Sequence, residues 1–347
     1  MSNPPAASSP SSFSLDVLQP LIRGTDLERA NARDALAEIL SGAVDPLLIA
    51  SFLTALTAKG ETASEMTGFI DAMIGAATTF SVPEDAIDIV GTGGDQLHTV
   101  NISTMASFAV AGCGVRVAKH GNRAASSSVG SADVLEALGV RLDAPAHVVR
   151  ACVEGAGIGF MFAPTFHPAL GTLVPIRRTL GFRTIFNVLG PLANPAQVRR
   201  SLIGVAQAHL LNAMASVLFT RGTLFSVLVH ADDGLDELSL GTPSSLHEIR
   251  PEGVSVRDVD AGEELDRHHS AASIRGGDTK DNVDVVRRFL DGTEGPVFDV
   301  ACANAGLALI VAGRASNLRE GFDLAAASVR EGRAASALEQ LVSISNT

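Results

Sequence analysis

Apolar residues recur at helical spacing from residue 13 to residue 80: Leu36, Ile39 and Leu40, then Leu47, Leu48, Phe52, Leu53 and Leu56. Thr62 and Glu65 form a capping box ahead of Met66, Phe69, Ile70 and Met73, so the block reads as a small helical domain. Ser81–Asp85 marks the crossing into a second pattern. From Ala86 short apolar strands alternate with helices. The strands expected are Ile87–Val90, Val115–Ala118, Ile158–Ala163, Leu202–Ala206 and Leu224–Val229, with helices over 101–112, 131–138, 146–155 and 210–221. Residues 243–258 read as an added hairpin, and the chain closes in helices. Such alternation predicts an α/β domain with a mainly parallel sheet, whose ligands bind beyond the carboxyl ends of the strands.

Two polar loops lie at such ends. The first, GTGGDQLHTVNIST over 91–104, runs from an apolar strand through glycines into a helix. That geometry leaves backbone N–H groups unpaired and favours an anion. The second, KHGNRAASSSVGSADVLE over 119–136, follows the next apolar run. Lysine is rare here, with only Lys59, Lys119 and Lys280, which makes one in such a loop a candidate phosphate contact. Asn101 or a neighbouring serine could instead merely cap the helix, and Ser131 could cap the one that follows it. Gly139 suits the left-handed end of that helix. Neither loop is a Walker A sequence or a dinucleotide fingerprint.

Composition narrows the classes. The 347 residues are 46% hydrophobic and 18% charged with a net charge of −12, a globular balance without the basic stripe of a nucleic-acid binder. Cys113, Cys152 and Cys302 lack zinc or disulfide spacing and read as buried hydrophobes. Residues 1–12 read as a flexible tail rather than a signal peptide. The apolar run Val297–Gly313 is broken by Asp299 and Asn304 and reads as a buried helix rather than a membrane span, so neither a membrane nor nucleic acid is expected as partner and a cytoplasmic location is.

The motifs GTGGD, NIST and KHGNRAASS, with Gly157–Pro164, Phe186–Pro195 and Gly234–Leu238, occur in an order that resembles the anthranilate phosphoribosyltransferase family over nearly the whole chain. The resemblance implies a helical domain over 13–82 to which about 165–195 return, an α/β domain over 83–164 and 196–345, and an active site in the cleft between them. It implies transfer of a phosphoribosyl group from phosphoribosyl diphosphate to anthranilate, and a homodimer through the helical domain. Gly91, Gly94, Asp95, Thr99, Asn101, Ser103, Thr104, Lys119, His120, Gly121, Asn122, Arg123, Ala124, Ser126, Ser127 and Ser131 would hold phosphoribosyl diphosphate. Gly91, Asn122 and Arg177 would hold anthranilate, and Ser103, Asp236 and Glu237 a Mg²⁺ ion. His120 and Arg123 could alternatively support the loop from behind. Asp232 and Asp233 read as surface, and no general base stands out. Phe186–Pro195 reads as a hinge.

Gln96 stands where the family usually has glycine, and Val129 where it usually has a polar residue. The rivals are a pyrimidine nucleoside phosphorylase, which shares the fold, and a non-catalytic relative that binds nucleic acid. The second should be basic and should lack the acidic pair.

Overall fold

The computed structural model describes residues 11–123 and 129–347. The expected tail over 1–12 lies almost wholly outside them. The chain divides into two compact units, one made of the residues up to Ala76 with Ala169–Leu189, the other of Ala77–Pro168 with Gly190–Thr347.

The first unit is helical. Its principal helices are Arg29–Leu40, Pro46–Lys59 and Ala63–Gly75. Pro46 occupies the first turn, where its missing N–H costs nothing, and Asp45 caps it by accepting from Leu47 N at 2.8 Å. The Thr62–Glu65 capping box forms in both directions, at 3.2 and 2.9 Å. Glu65 is fully buried, and it also accepts from Leu27 N and pairs with Lys59 at 3.0 Å. A buried carboxylate is tolerated only with such a set of donors. Phe13, Phe52 and Phe69 pack edge to face at 5.9 Å in the core. The returning segment adds the helices Val174–Leu180 and Phe186–Leu189.

The second unit carries seven strands: β1 (Ile87–Gly91), β2 (Val117–Gly121), β3 (Ile158–Phe162), β4 (Arg200–Gly204), β5 (Phe225–Ala231), β6 (Ser244–Arg250) and β7 (Gly253–Val259). Their order is β3-β2-β1-β4-β5-β6-β7, the first five parallel and the last two added antiparallel. The expected hairpin over 243–258 is thus β6 and β7. Helices Ile102–Gly112, Pro296–Val311, Leu318–Arg330 and Arg333–Ser345 pack around it. The helix Pro296–Val311 is buried almost throughout, and no helix among the described residues is long and apolar enough to cross a membrane. It meets Leu318–Arg330 where Gly306 and Gly321 touch; a Cβ on Gly321 would lie 2.5 Å from the Gly306 carbonyl oxygen.

Strand bounds need correction: β3 ends at Phe162 rather than Ala163, β5 spans Phe225–Ala231 rather than Leu224–Val229, and β2 and β4 shift further. β2 starts two residues later than expected and continues through Gly121, so Lys119 and His120 are strand residues, paired with Phe160 and Met161 of β3. Polar residues suggest a loop, but β2 lies between β1 and β3, where Lys119 finds Ile89 O of β1 and His120 finds Gly190 O outside the sheet. β4 likewise spans Arg200–Gly204 rather than Leu202–Ala206.

Candidate functional site

The chain passes from β1 to β2 on one side of the sheet and later to β4 on the other, so the carboxyl ends of β1 and β4 face a topological switch point. There Gly91 stands opposite Gly204 in the strand register. The loop after β5 crosses both. A Cβ on Gly204 would lie 1.5 Å from the Asp236 carbonyl oxygen, and one on Gly91 2.5 Å from Asp236 Oδ2. Two missing side chains therefore admit the acidic loop to the strand ends.

The glycine loop folds onto that acid. Gly93 N donates to Asp236 Oδ2 at 2.7 Å, and Gly93 and Gly94 are left-handed at φ 66° and 78°. Asp95 Oδ1 accepts from Leu97 N at 3.1 Å, and burial, the largest influence, raises its carboxyl. Gln96 is also left-handed, at φ 62°, which gives the physical reason a glycine is at ease there. Thr99 forms an isolated bridge with Arg275.

Asn101 precedes the helix Ile102–Gly112 but its side chain makes no cap bond. Its Nδ2 donates to Val129 O at 3.3 Å, and its Oδ1 is buried without a partner among the described residues, as is Thr104 Oγ1. Instead Glu237 Oε1 accepts from Ser103 N at 3.1 Å, a cap supplied from a distant loop. Ser131 is also not a cap. Gly130 precedes that helix, and Asp133 reaches back to Gly130 N at 2.9 Å. Val129 is buried in the core.

Lys119 is 2% exposed. Its Nζ donates to Ile89 O at 2.5 Å and Ser103 Oγ at 3.3 Å. Burial lowers its pKa, opposed by the charges of Asp88 and Glu237. Glu237 stands well above the usual carboxyl range, through burial first and then Asp236, with Lys119 acting against both. Beneath them lies Asp88, pushed up to about 6 by burial. It accepts from His120 N at 3.2 Å and Asn194 Nδ2 at 2.8 Å, and Asn194 also donates to Ala118 O.

The His120 ring supports the site from behind. Nδ1 meets Gly190 O at 3.1 Å, the ring lies 5.3 Å from that of His167, and burial drives its pKa down to about 3, so it is neutral. Gly121 has no room for a side chain, since a Cβ would lie 2.5 Å from Ser131 Oγ. Asn122 is exposed, and its carbonyl accepts from Ala132 N. Arg123 pairs with Asp133 and Glu136, both at 2.8 Å. Ala124, Ser126 and Ser127 lie outside the described residues.

Arg177 is half-buried on the helix Val174–Leu180, 3.3 Å from Asn187 Oδ1 and stacked near Phe186, while Arg178 is exposed. Asp232 is exposed, but Asp233 is built into its turn, accepting from Leu235 N and Ser239 Oγ.

Asp236 and Glu237 are 9% and 8% exposed, two adjacent carboxylates whose mutual repulsion a divalent cation would relieve. Hard oxygen donors beside a phosphate-type loop suit Mg²⁺, with the Ser103 hydroxyl adjoining. Asp88, Asn194, His167 and Gly204 are site residues that sequence reasoning misses; the signals for them are an acid inside the run Ala86–Val90 and the place of Asn194 in the Phe186–Pro195 motif.

Residues 83–335 match the glycosyl transferase family a/b domain, and residues 15–77 the helical bundle domain of the same family. An anthranilate phosphoribosyltransferase of Thermomicrobium roseum is 48% identical, over 95% of this chain and 96% of its own length. The crystal structure of the Thermus thermophilus enzyme of that name is similar with a TM-score of 0.89 at 39% identity, over 96% of this chain and 100% of that one. A Saccharomyces cerevisiae structure, in complex with PRPP and Mg, has a TM-score of 0.89 at 25% identity, covering 97% of this chain and 99% of that one.

Two stability predictions follow from the geometry. Gly204→Ala should cost about 1–3 kcal/mol, as overpacking does, read from denaturant midpoints; an unchanged midpoint would show that the Asp236 loop is free to move. Asp88 is held protonated by the fold up to about pH 6, above its range in the unfolded chain. Its contribution is therefore fully present below about pH 4 and lost as pH rises through about 6. Asp88→Asn removes that dependence, so the variant should gain on the native protein by about 3 kcal/mol between those limits. Thermal melts from pH 4 to 7 check this, and a pH-independent difference would refute it.

Proposed function

This chain belongs to the anthranilate phosphoribosyltransferase family, and from that premise we propose how its residues divide the reaction. The enzyme transfers the phosphoribosyl group of 5-phosphoribosyl 1-diphosphate to anthranilate, giving N-(5-phosphoribosyl)anthranilate and diphosphate, a step of tryptophan biosynthesis. The observation that carries the assignment is the glycine loop, the helix start and the buried lysine converging with two carboxylates at the β1/β4 switch point.

In this reading Gly91, Gly94, Asp95 and Thr99 lie along the diphosphate and ribose. Asn101, Ser103 and Thr104 offer the helix N-terminus, where free N–H groups and the dipole favour phosphate. Gly121, Asn122 and Ser131, with Ala124, Ser126 and Ser127 beyond the described residues, complete the phosphate shell, while the buried Lys119 and His120 and the ion-paired Arg123 support it from behind. Asp236, Glu237 and Ser103 would hold Mg²⁺, and the chemistry it would supply when bound is neutralisation of charge on the diphosphate.

The anthranilate amine is neutral at pH 7, so its lone pair forms the new C–N bond at ribose C1 without prior deprotonation. The C1–O bond breaks on the opposite face, diphosphate takes the electron pair, and the amine nitrogen then releases its proton. Catalysis rests on positioning and on the anion site that receives the diphosphate. Gly91 and Asn122 adjoin the acceptor, and Arg177 pairs with its carboxylate through a guanidinium fork.

Two coarser properties complete the reading. The enzyme is a homodimer through its helical unit, which Ile22 and Leu47 support, being 67% and 78% exposed there. It works in the cytoplasm, where its three free cysteines stay reduced.

Loss of anthranilate fluorescence on adding phosphoribosyl diphosphate and Mg²⁺ tests the activity. In that assay Arg177→Ala should raise the KM for anthranilate at least about tenfold, as expected for a lost charge-assisted contact, and move that for phosphoribosyl diphosphate little. Arg177→Lys should recover part of the loss, and Arg178→Ala should matter least. Equal effects on both substrates would remove Arg177 from the acceptor site. Leu47→Glu should convert the dimer to monomer in sedimentation equilibrium, and an unaltered mass would exclude this face.

A further inference from the structure

Asn304 lies in the middle of the helix Pro296–Val311, fully buried among alanine, leucine and valine. Its Oδ1 accepts from Leu238 N at 2.8 Å, while its Nδ2 donates to Leu238 O at 3.0 Å and to Val300 O at 2.9 Å. The amide thus closes on both polar groups of a single residue, the one directly after Glu237. Packing alone does not ask for this. An apolar side chain would fill the place in so apolar a helix, whereas a buried amide is tolerated only when its bonds are made.

The residues before Leu238 are tied to other elements. Asp236 is seated against Gly204 of β4 and bonded to Gly93 N, and Glu237 is bonded to Ser103 N at the start of the helix Ile102–Gly112. Ser239 closes the loop on itself through Asp233 at 2.9 Å. Three consecutive residues are therefore anchored to three different parts of the unit. Without the Asn304 clamp, the residue directly after the acidic pair loses its hold on the helix Pro296–Val311, and the nearest remaining anchor that does not involve a carboxylate is Ser239 N on Ser244 Oγ at 3.3 Å.

We propose that Asn304 is a positioning residue that fixes the main chain at Leu238 and thereby sets the Asp236 and Glu237 carboxylates ready for the divalent cation. The proposal rests on the reading of that pair as cation ligands. It assigns the clamp to the free enzyme, so the loop is set before cation or substrate arrives. Outer groups of this kind govern metal affinity because a ligand that must be reoriented binds more weakly.

The test uses Mn²⁺ as a probe, with its binding to the full-length enzyme in the presence of phosphoribosyl diphosphate read by electron paramagnetic resonance. Asn304→Ala should weaken Mn²⁺ by about 10–100-fold, the range for such outer partners, and leave the KM for anthranilate within about twofold. Asn304→Asp keeps the volume and the acceptor for Leu238 N, but turns an oxygen toward Leu238 O, and should weaken Mn²⁺ as well. Glu237→Gln is the control. If it retains full Mn²⁺ affinity, the cation reading of the pair fails and the clamp with it. If it loses Mn²⁺ while a folded Asn304 variant binds within twofold of the native enzyme, the clamp alone is overturned. Hydrogen exchange on the unaltered protein tests the same point where neither variant folds. The Leu238 amide should be protected without Mn²⁺, and protection that arises only on adding it would overturn a preset loop.

Discussion

A lysine ammonium held inside a parallel sheet is the constraint around which the α/β unit is arranged. Lys119 emerges in β2, where a charge has no water, and is accommodated by Ile89 O, Ser103 Oγ and the fields of Asp88 and Glu237. These partners come from three parts of the unit: Asp88 and Ile89 from β1, Ser103 from the helix that follows it, and Glu237 from the loop after β5. Holding that charge therefore requires the strand order, the helix start and the acidic loop to be assembled together. The pairing also works in reverse, since the charge of Lys119 opposes the burial and the Asp236 repulsion that raise Glu237.

The fold class was legible because its signals are local. Apolar runs of strand length alternate with helical periods, and the capping box at Thr62–Glu65 is complete within four residues. The two loop motifs were visible for the same reason. What sequence did not disclose is carried by long-range contacts. Nothing near Ser103 says that its N–H is capped by Glu237, and nothing near Leu238 points to Asn304. Lys119 and His120 read as loop residues because polarity alone does not reveal the partners that make a buried strand position tolerable. Asp88 and Asn304 did leave a trace, each as a polar interruption of an apolar run, but such an interruption cannot name its partner.

Departure from a motif carried physical information too. Gln96 and His98 both take left-handed backbone, a conformation that costs a side-chain-bearing residue about 1–2 kcal/mol. The loop therefore holds strain next to the start of the helix Ile102–Gly112, and its shape is kept by Gly93, Asp95 and the bridge from Thr99 to Arg275 rather than by relaxed torsions. Val129 shows the opposite case, since an apolar side chain there joins the core while its carbonyl still serves Asn101.

The facing glycines at the ends of β1 and β4 also bear on heredity. Every replacement of Gly91 or Gly204 adds at least one carbon where the Asp236 loop already lies. No single substitution at either place is neutral in volume, so the two positions offer lineages almost no room to drift. Descendants that keep the acidic loop against both strand ends must inherit both absences together.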